Sequence, residues 1–422
     1  YRQYPEDVRL LFAQAVLERS RWSKDEAQRF FLQISQRFPD TVYSQASELA
    51  TVLDRHESAD SNVAELIRLS DANPDDVYLL WLSAIECREQ KKGVLGKKQY
   101  EKLLSKFRVG PVMVHHTLAN ILSEILGDHE AALKHRYIAV SLEAKGWTLD
   151  GLANTLTYLK RYQEACAVWA RTVQVSPNDS DYWRNWGGTL EEMGRYEEAL
   201  EKQMEAYRVD PSSAVNFYRV GWCLAKLARY HEAVEFYSKA AQMGDADAQA
   251  RLGFLYEKGQ GVETNLQEAV KLYRLAADQG NVTGLHNLAL CYEVGKGVEK
   301  KLQQAVVYYR KALEKEPANA TALNAYAWFL LTCKDESFRN YPEAVRLAER
   351  AVALEPNNYN LDTLAVAYEK TGQYAKAVEA QKRLIAFRKQ RIPDKEVPER
   401  MFKRLADYEQ KSAEQAAKAR EQ

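Results

Sequence analysis

The stretch Gly187 to Pro211, GGTLEEMGRYEEALEKQMEAYRVDP, has near copies on both sides at one fixed spacing. Thirty-four residues upstream the chain reads ANTLTYLKRYQEACAVWARTVQVSP from Ala153, and thirty-four downstream GWCLAKLARYHEAVEFYSKAAQMG from Gly221. A recurrence of this length means short units stacked in a row, each touching its neighbours. A chain of 422 residues then need not divide into ordinary globular domains.

Each unit reads as two amphipathic helices. Trp183, Trp186, Gly187 and Leu190 recur at helical spacing, as do Tyr196, Ala199, Leu200, Gln203, Ala206 and Tyr207. Gly194 stands between them, where a left-handed residue ends the first helix, and Pro211 stops the second. Small residues at Gly187 and Ala199 allow close approach within a pair, and Ala206 allows it toward the next. One such pair cannot bury both its faces alone.

This pattern resembles the tetratricopeptide repeat family, in which a tryptophan-like residue, a small residue, an aromatic, two alanines and a proline recur over 34 residues. The matching sets are Ala153, Leu156, Tyr162, Ala165, Trp169 and Pro177; Trp183, Gly187, Leu190, Tyr196, Ala199, Ala206 and Pro211; and Phe217, Gly221, Leu224, Tyr230, Ala233, Tyr237 and Ala240. After Gly244 the period becomes 36 and a Gly-x-Gly-Val loop appears twice, at Gly259 and Gly295. These two units look like Sel-one-like repeats, a longer-looped relative.

The first type returns at Ala327, Ala344, Ala351 and Pro356, with an insert near Lys334 to Asn340, and again at Leu361, Ala365, Tyr368, Gly372, Tyr374 and Ala377. Upstream, Ala15, Ala27, Phe31 and Pro39 suggest one worn unit, and Asn120, Gly127, Ala132 and Ala139 another. Between them NPDDVYLLWLSAIECREQ opens a helix with Asn73 or Asp75 at its cap. About eleven pairs are expected. The expected organisation is degenerate pairs over 1–145, three tetratricopeptide repeats over 146–247, two Sel-one-like repeats over 248–319, two tetratricopeptide repeats over 320–390, and a linker with a capping helix over 391–422. The fold implied is all-α, a right-handed superhelical solenoid of stacked antiparallel helix pairs.

Composition removes several functions. Lys plus Arg and Asp plus Glu are both 59, so no bulk charge draws the chain to nucleic acid or an anionic membrane. No apolar run approaches the length of a membrane span. Cys87, Cys166, Cys223, Cys291 and Cys333 contain no C-x-x-C pair and fall within expected helices, which favours a reducing compartment and a cytoplasmic location. The chain opens at Tyr1 with no leader pattern, as a fragment or processed chain would.

Catalytic patterns are not found. The loops Gly259–Gly261 and Gly295–Gly297 follow helices rather than strands, so they read as structural turns and not as phosphate cradles. His115, His116, His129 and His135 crowd together, yet HEAALKH places Leu133 where a second zinc ligand would stand. No metal, no cofactor and no enzyme activity is expected.

The resemblance implies that the first helix of each pair lines a concave face. By spacing, that lining includes Trp147, Asp150, Asn154, Arg184, Tyr218, Trp222, Ala250, Phe254, His286, Asn324 and Trp328. Rings flanked by Arg and Asn suit an extended peptide, so Asn154, Arg184, Asn185, Tyr218, Arg219, Trp222, Phe254, His286 and Trp328 are the expected peptide site of a protein-interaction scaffold. Some family members grip a C-terminal carboxylate with two asparagines, an arginine and two lysines. Asn154, Asn185 and Arg219 match that set, but Asp150 and Val215 hold the lysine places, and an aspartate there repels a carboxylate. The competing expectation is a substrate-presenting or regulatory repeat region of a larger enzyme or receptor whose other domain lies outside this chain.

Overall fold

The computed structural model describes residues 6–20, 24–39, 41–53, 59–107, 111–391 and 397–421, and in them finds helices and turns but no strand. Twenty-three α-helices among the described residues form eleven consecutive pairs and one terminal helix. The chain divides into two compact units, Tyr1–Val209 and Asp210–Gln422.

The first unit holds six pairs. They are Glu6–Ser20 with Lys24–Arg37, Val42–Leu53 with Ala59–Ala72, Val77–Glu89 with Gly93–Ser105, Val112–Asn120 with His129–Leu142, Gly146–Tyr158 with Tyr162–Val175, and Ser180–Glu192 with Tyr196–Val209. The second unit holds five. They are Ala214–Lys226 with Tyr230–Gln242, Ala246–Lys258 with Leu266–Asp278, Val282–Val294 with Leu302–Lys315, Ala320–Thr332 with Tyr341–Leu354, and Asn358–Lys370 with Tyr374–Arg391, followed by Glu399–Glu421.

The turn inside a pair is built the same way in three consecutive pairs. Lys160, Gly194 and Ala228, spaced by 34, all take positive φ, at 58°, 72° and 58°. The next residue's N–H then donates back to the helix just ended: Arg161 to the Leu156 carbonyl, Arg195 to Leu190 and Arg229 to Leu224, at 2.9–3.0 Å. Each arginine also forks onto a glutamate three residues on, Glu164, Glu198 or Glu232. These exposed pairs add little energy, but they fix where the second helix begins.

Close packing follows the small residues. A Cβ on Gly221 would stand 2.8 Å from Tyr237, so the second helix lays its tyrosine directly on the first helix's backbone. Ala199, Ala206 and Trp169 are fully buried in the neighbouring pairs. In the longer-looped units the same position is tied by a hydrogen bond as well: Tyr273 donates to Glu257 at 2.9 Å and Tyr309 to Glu293 at 2.7 Å.

The Gly-x-Gly loops have a mechanical reason. A Cβ on Gly261 would collide with the Tyr230 backbone, and one on Gly297 with the Leu266 backbone, so each loop rests on the start of the preceding pair's second helix. Positive φ at 71° and 69° suits both residues to glycine.

Three local expectations are corrected. The cap before Val77 is Asp76, whose carboxylate accepts from the Tyr78 and Leu79 N–H groups, rather than Asn73 or Asp75. Asp76 alone among the acidic and amide residues there sits one residue before the first helical turn. Cys333 lies just past its helix, in extended backbone at φ −54° and ψ 130°, because the chain turns outward to the insert. Ala250 is buried rather than lining a surface, enclosed where neighbouring helices meet. The linker expected between the last pair and the terminal helix falls mostly on 392–396, outside the described residues. The terminal helix buries Met401 and Tyr408 and exposes Phe402.

Candidate functional site

Which face is available follows from how the pairs stack. First helices of successive pairs touch one another: Ala246–Lys258 with Val282–Val294, that helix with Ala320–Thr332, and that one with Asn358–Lys370. Second helices of successive pairs approach less closely. From Ala246–Lys258 onward the first helices therefore line one side of the second unit, its inner wall, and Ala214–Lys226 is the first helix of the pair before them.

The ninth residue of each first helix in this wall is apolar: Trp222, Phe254, Leu290, Trp328 and Val366. Phe254 is 40% exposed, Leu290 38% and Trp328 41%, while Trp222 and Val366 are half-buried. Five large apolar side chains thus hold one register on the first helices of the second unit, all partly open to solvent, an apolar stripe by register. Leu290 was absent from the expected set. Among the three leucines of VTGLHNLALCYEV it reads as core, and only its register with the aromatics marks it otherwise.

Cations flank the upper part of this stripe. Lys226 lies 4.9 Å above the Trp222 ring and Lys258 5.5 Å above Phe254, one helical turn along in each case. Arg219 approaches the Tyr218 ring at 6.0 Å. Tyr218 is half-buried, with its hydroxyl pushed up in pKa by burial and eased by Arg251. The acids of this face are bound within the chain. Asp247 accepts from Asn281, and Glu257 from Tyr273, Lys296 and Lys258. Burial raises Glu257, but those bonds outweigh it and hold the carboxyl below its ordinary range. His286 is half-buried, its imidazole shifted down by burial, and its Nδ1 has no protein partner.

In the first unit the inner wall differs along its length. Glu6–Ser20 touches both Val42–Leu53 and Val77–Glu89, two pairs on, and Arg19 forks onto Glu86 with both side chains buried. The inner side of these three pairs is filled by their own helices. Further along, Asn154 and Asn185 both donate to Asp150 Oδ1, at 3.0 and 3.2 Å, and so bridge two successive first helices. Burial lifts the Asp150 carboxyl to about 6 against the bonds from Asn185 and Asn154 and the field of Arg136. Arg184 pairs with Asp181 at 2.7 Å.

The four clustered histidines do not converge. His115 and His135 face each other through Nδ1 at 3.0 Å, and His116 contacts Arg136 at 2.9 Å while meeting Trp147 edge-on. His129 stacks on Tyr158. Burial and the neighbouring Arg136 and Arg88 push His116 down to about 3. Among the described residues no three histidine, cysteine, aspartate or glutamate side chains group as metal ligands, and no helix is long and apolar enough to cross a membrane.

Comparison with known proteins bears on the repeats. The Sel1 repeat model matches residues 246–281, 282–316 and 321–355, and the tetratricopeptide repeat model matches 214–243 and 361–390. The third Sel1 match covers the unit with the insert near Lys334 to Asn340, expected as a tetratricopeptide repeat. Its loop carries a short 3₁₀ turn, Glu336–Phe338, that lengthens the connection as the Gly-x-Gly loops do. No curated protein sequence matches the chain.

Among solved structures, a Sel1 repeat protein from Oxalobacter formigenes shares 22% identity over 56% of this chain and 96% of its own, with a TM-score of 0.44. The protective antigen c5321 of uropathogenic Escherichia coli, described as displaying an SLR fold, shares 18% over 92% and 88%, with a TM-score of 0.46. MamA from Desulfovibrio magneticus RS-1 shares 16% over 40% and 94%, at 0.37.

Proposed function

Because the chain carries Sel1 and tetratricopeptide repeats, we propose that it captures an extended protein segment along the inner wall of its second unit. Solenoids of these repeats are generally protein-interaction scaffolds, and the two families are typically non-catalytic. The segment would lie across the first helices, setting apolar side chains against Trp222, Phe254, Leu290 and Trp328. Tyr218, Arg219 and His286 would border it there. In the first unit, taken by itself, Asn154, Arg184 and Asn185 would offer a separate polar contact.

The observation that carries this reading is the half-exposed apolar stripe. A side chain that only packed on its neighbours would be enclosed, as Tyr237 and Tyr309 are. A contact row of partly open aromatics is how binding energy concentrates in a few residues.

Peptides selected from a random display library on the wild-type chain supply the test. Phe254→Ser combined with Leu290→Ser should weaken their binding by about tenfold or more, with the helical circular dichroism melt little changed. Undiminished affinity would place capture elsewhere, on the second-helix side.

A further inference from the structure

The stripe of the second unit has a period, and the period selects what can lie along it. We propose that the segment captured there runs as a polyproline II helix, with an apolar residue at every third place and acidic residues toward the Phe254 end. This rests on the segment-capture reading and names the class of segment.

Phe254, Leu290 and Trp328 hold the ninth places of Ala246–Lys258, Val282–Val294 and Ala320–Thr332, and each is open to solvent. Those three helices touch in turn. Helices in contact pack about 8–10 Å apart, so equivalent side chains on them recur at about that distance. A polyproline II chain advances about 9 Å per turn of three residues, which sets one side chain in three on each wall helix. An extended strand returns to the same face after about 7 Å, and an α-helix after about 5.4 Å. Either would press anchors between the wall helices.

In a threefold chain the two residues between anchors point to the two sides of the stripe, and at Phe254 both sides are cationic. Arg251 stands one turn before the ring and Lys258 one turn after it, both exposed. Arg251 borders the Tyr218 hydroxyl and makes no ion pair with a described residue. Lys258 and Lys296 share one acid, Glu257, at 3.1 and 2.8 Å, and Asp247, the other acid of that helix, accepts from Asn281. Ala214–Lys226, the preceding first helix, adds Arg219 and Lys226 and contains no acid.

Past Phe254 the positive charge stops. Val282–Val294 holds one acid, Glu293, which accepts from Tyr309, and no lysine or arginine; Ala320–Thr332 has no acid, lysine or arginine at all. A wall that is cationic at one end only complements a segment that is acidic at one end only. The backbone of such a segment makes no hydrogen bonds of its own. His286 and Asn324, one turn before Leu290 and Trp328, make none to a described residue either, so each can meet that backbone.

Fluorescein-labelled dodecamers are titrated against the full chain by fluorescence polarisation. The set is two Pro-Leu-Glu triplets followed by two Pro-Leu-Gln triplets, the same blocks in reverse order, both orders with lysine for glutamate, and a permutation of the first with leucine at every second place. One glutamate order should bind about tenfold tighter than its lysine counterpart, and about tenfold tighter than the permutation. The advantage over lysine should shrink as salt rises from about 0.05 to 0.5 M. Arg251→Gln combined with Lys258→Gln should remove it, with the helical melt little changed. Should that variant lose its fold, the wild-type peptide ratios and their salt dependence still decide. Equal glutamate and lysine affinities, a permutation that binds as well as the triplets, or an advantage over lysine that survives the double substitution each overturn the proposal and leave segment capture standing. If no dodecamer binds, the proposal is overturned, and capture stands or falls with the library-selected peptides.

Discussion

Gly194 and Gly297 have nearly the same backbone twist, φ 72° and 69°, in very different surroundings. A Cβ on Gly194 would meet nothing within 4 Å, whereas one on Gly297 would stand 2.7 Å from the Leu266 carbonyl carbon. Gly194→Ala should therefore cost about 1–2 kcal/mol, the left-handed penalty alone. Gly297→Ala adds a collision with backbone that cannot rotate aside, and should cost roughly 2–5 kcal/mol. Denaturant titration of the two variants separates these effects. Lys160 and Ala228 hold the place of Gly194 in adjoining repeats, which already shows that this site tolerates a side chain.

Asp150 yields a second prediction at this scale. Its folded pKa of about 6 stands above the ordinary 3.8, so the folded chain holds the proton more tightly than the unfolded one. Stability is greatest below the lower value and falls as pH rises through the upper, by roughly 3 kcal/mol in full. Asp150→Asn should raise stability at pH 7.5 by up to about that amount, with the gain vanishing near pH 4. A gain independent of pH would detach it from this carboxyl. None of this was legible in the sequence, where Asp150 is only an aspartate in a lysine's usual place; its missing counter-ion depends on where Arg136 points.

Among the elements, what the sequence made readable was whatever recurs. Two helices per unit, the left-handed turn at Gly194 and the buried alanines follow from spacing, because the same contacts are made in each copy. Ala199 is fully buried against its partner helix, so Ala199→Leu should overpack the pair by about 1–3 kcal/mol, seen as a lower thermal midpoint. What recurs once was harder. The Asp76 cap, the displaced Cys333 and the unit with the insert depend on local turns with no second copy to compare. The apolar stripe was half legible: its aromatics stood out, while Leu290 needed the helix bounds before its register could be counted.

Over the whole molecule, stability is a sum of pairs and the interfaces between them. The terminal helix behaves as a first helix without a second. Arg404 reaches back to Asp362 and Gln381, Tyr408 donates to Glu369 at 3.2 Å, and Gln381 donates to the Met401 carbonyl at 2.9 Å. A chain ending at Arg391 should lose these contacts and expose the buried flank of Tyr374–Arg391. Its first denaturation step should come at lower denaturant, while the upstream pairs keep their own midpoint. A uniform shift of the whole transition would instead mean the array melts as one body.

The loops that lean back onto a preceding helix have a mechanical corollary. Tyr230 and Leu266 are each pinned from outside by a backbone crossing that no side-chain rotation can release. Hairpins fastened this way are hooped like barrel staves, whereas those of the first unit are held by side-chain packing. Tension along the chain would open the unhooped joints first, leaving the strapped stretch, with Trp222, Phe254 and Leu290, as the last part of the second unit to yield.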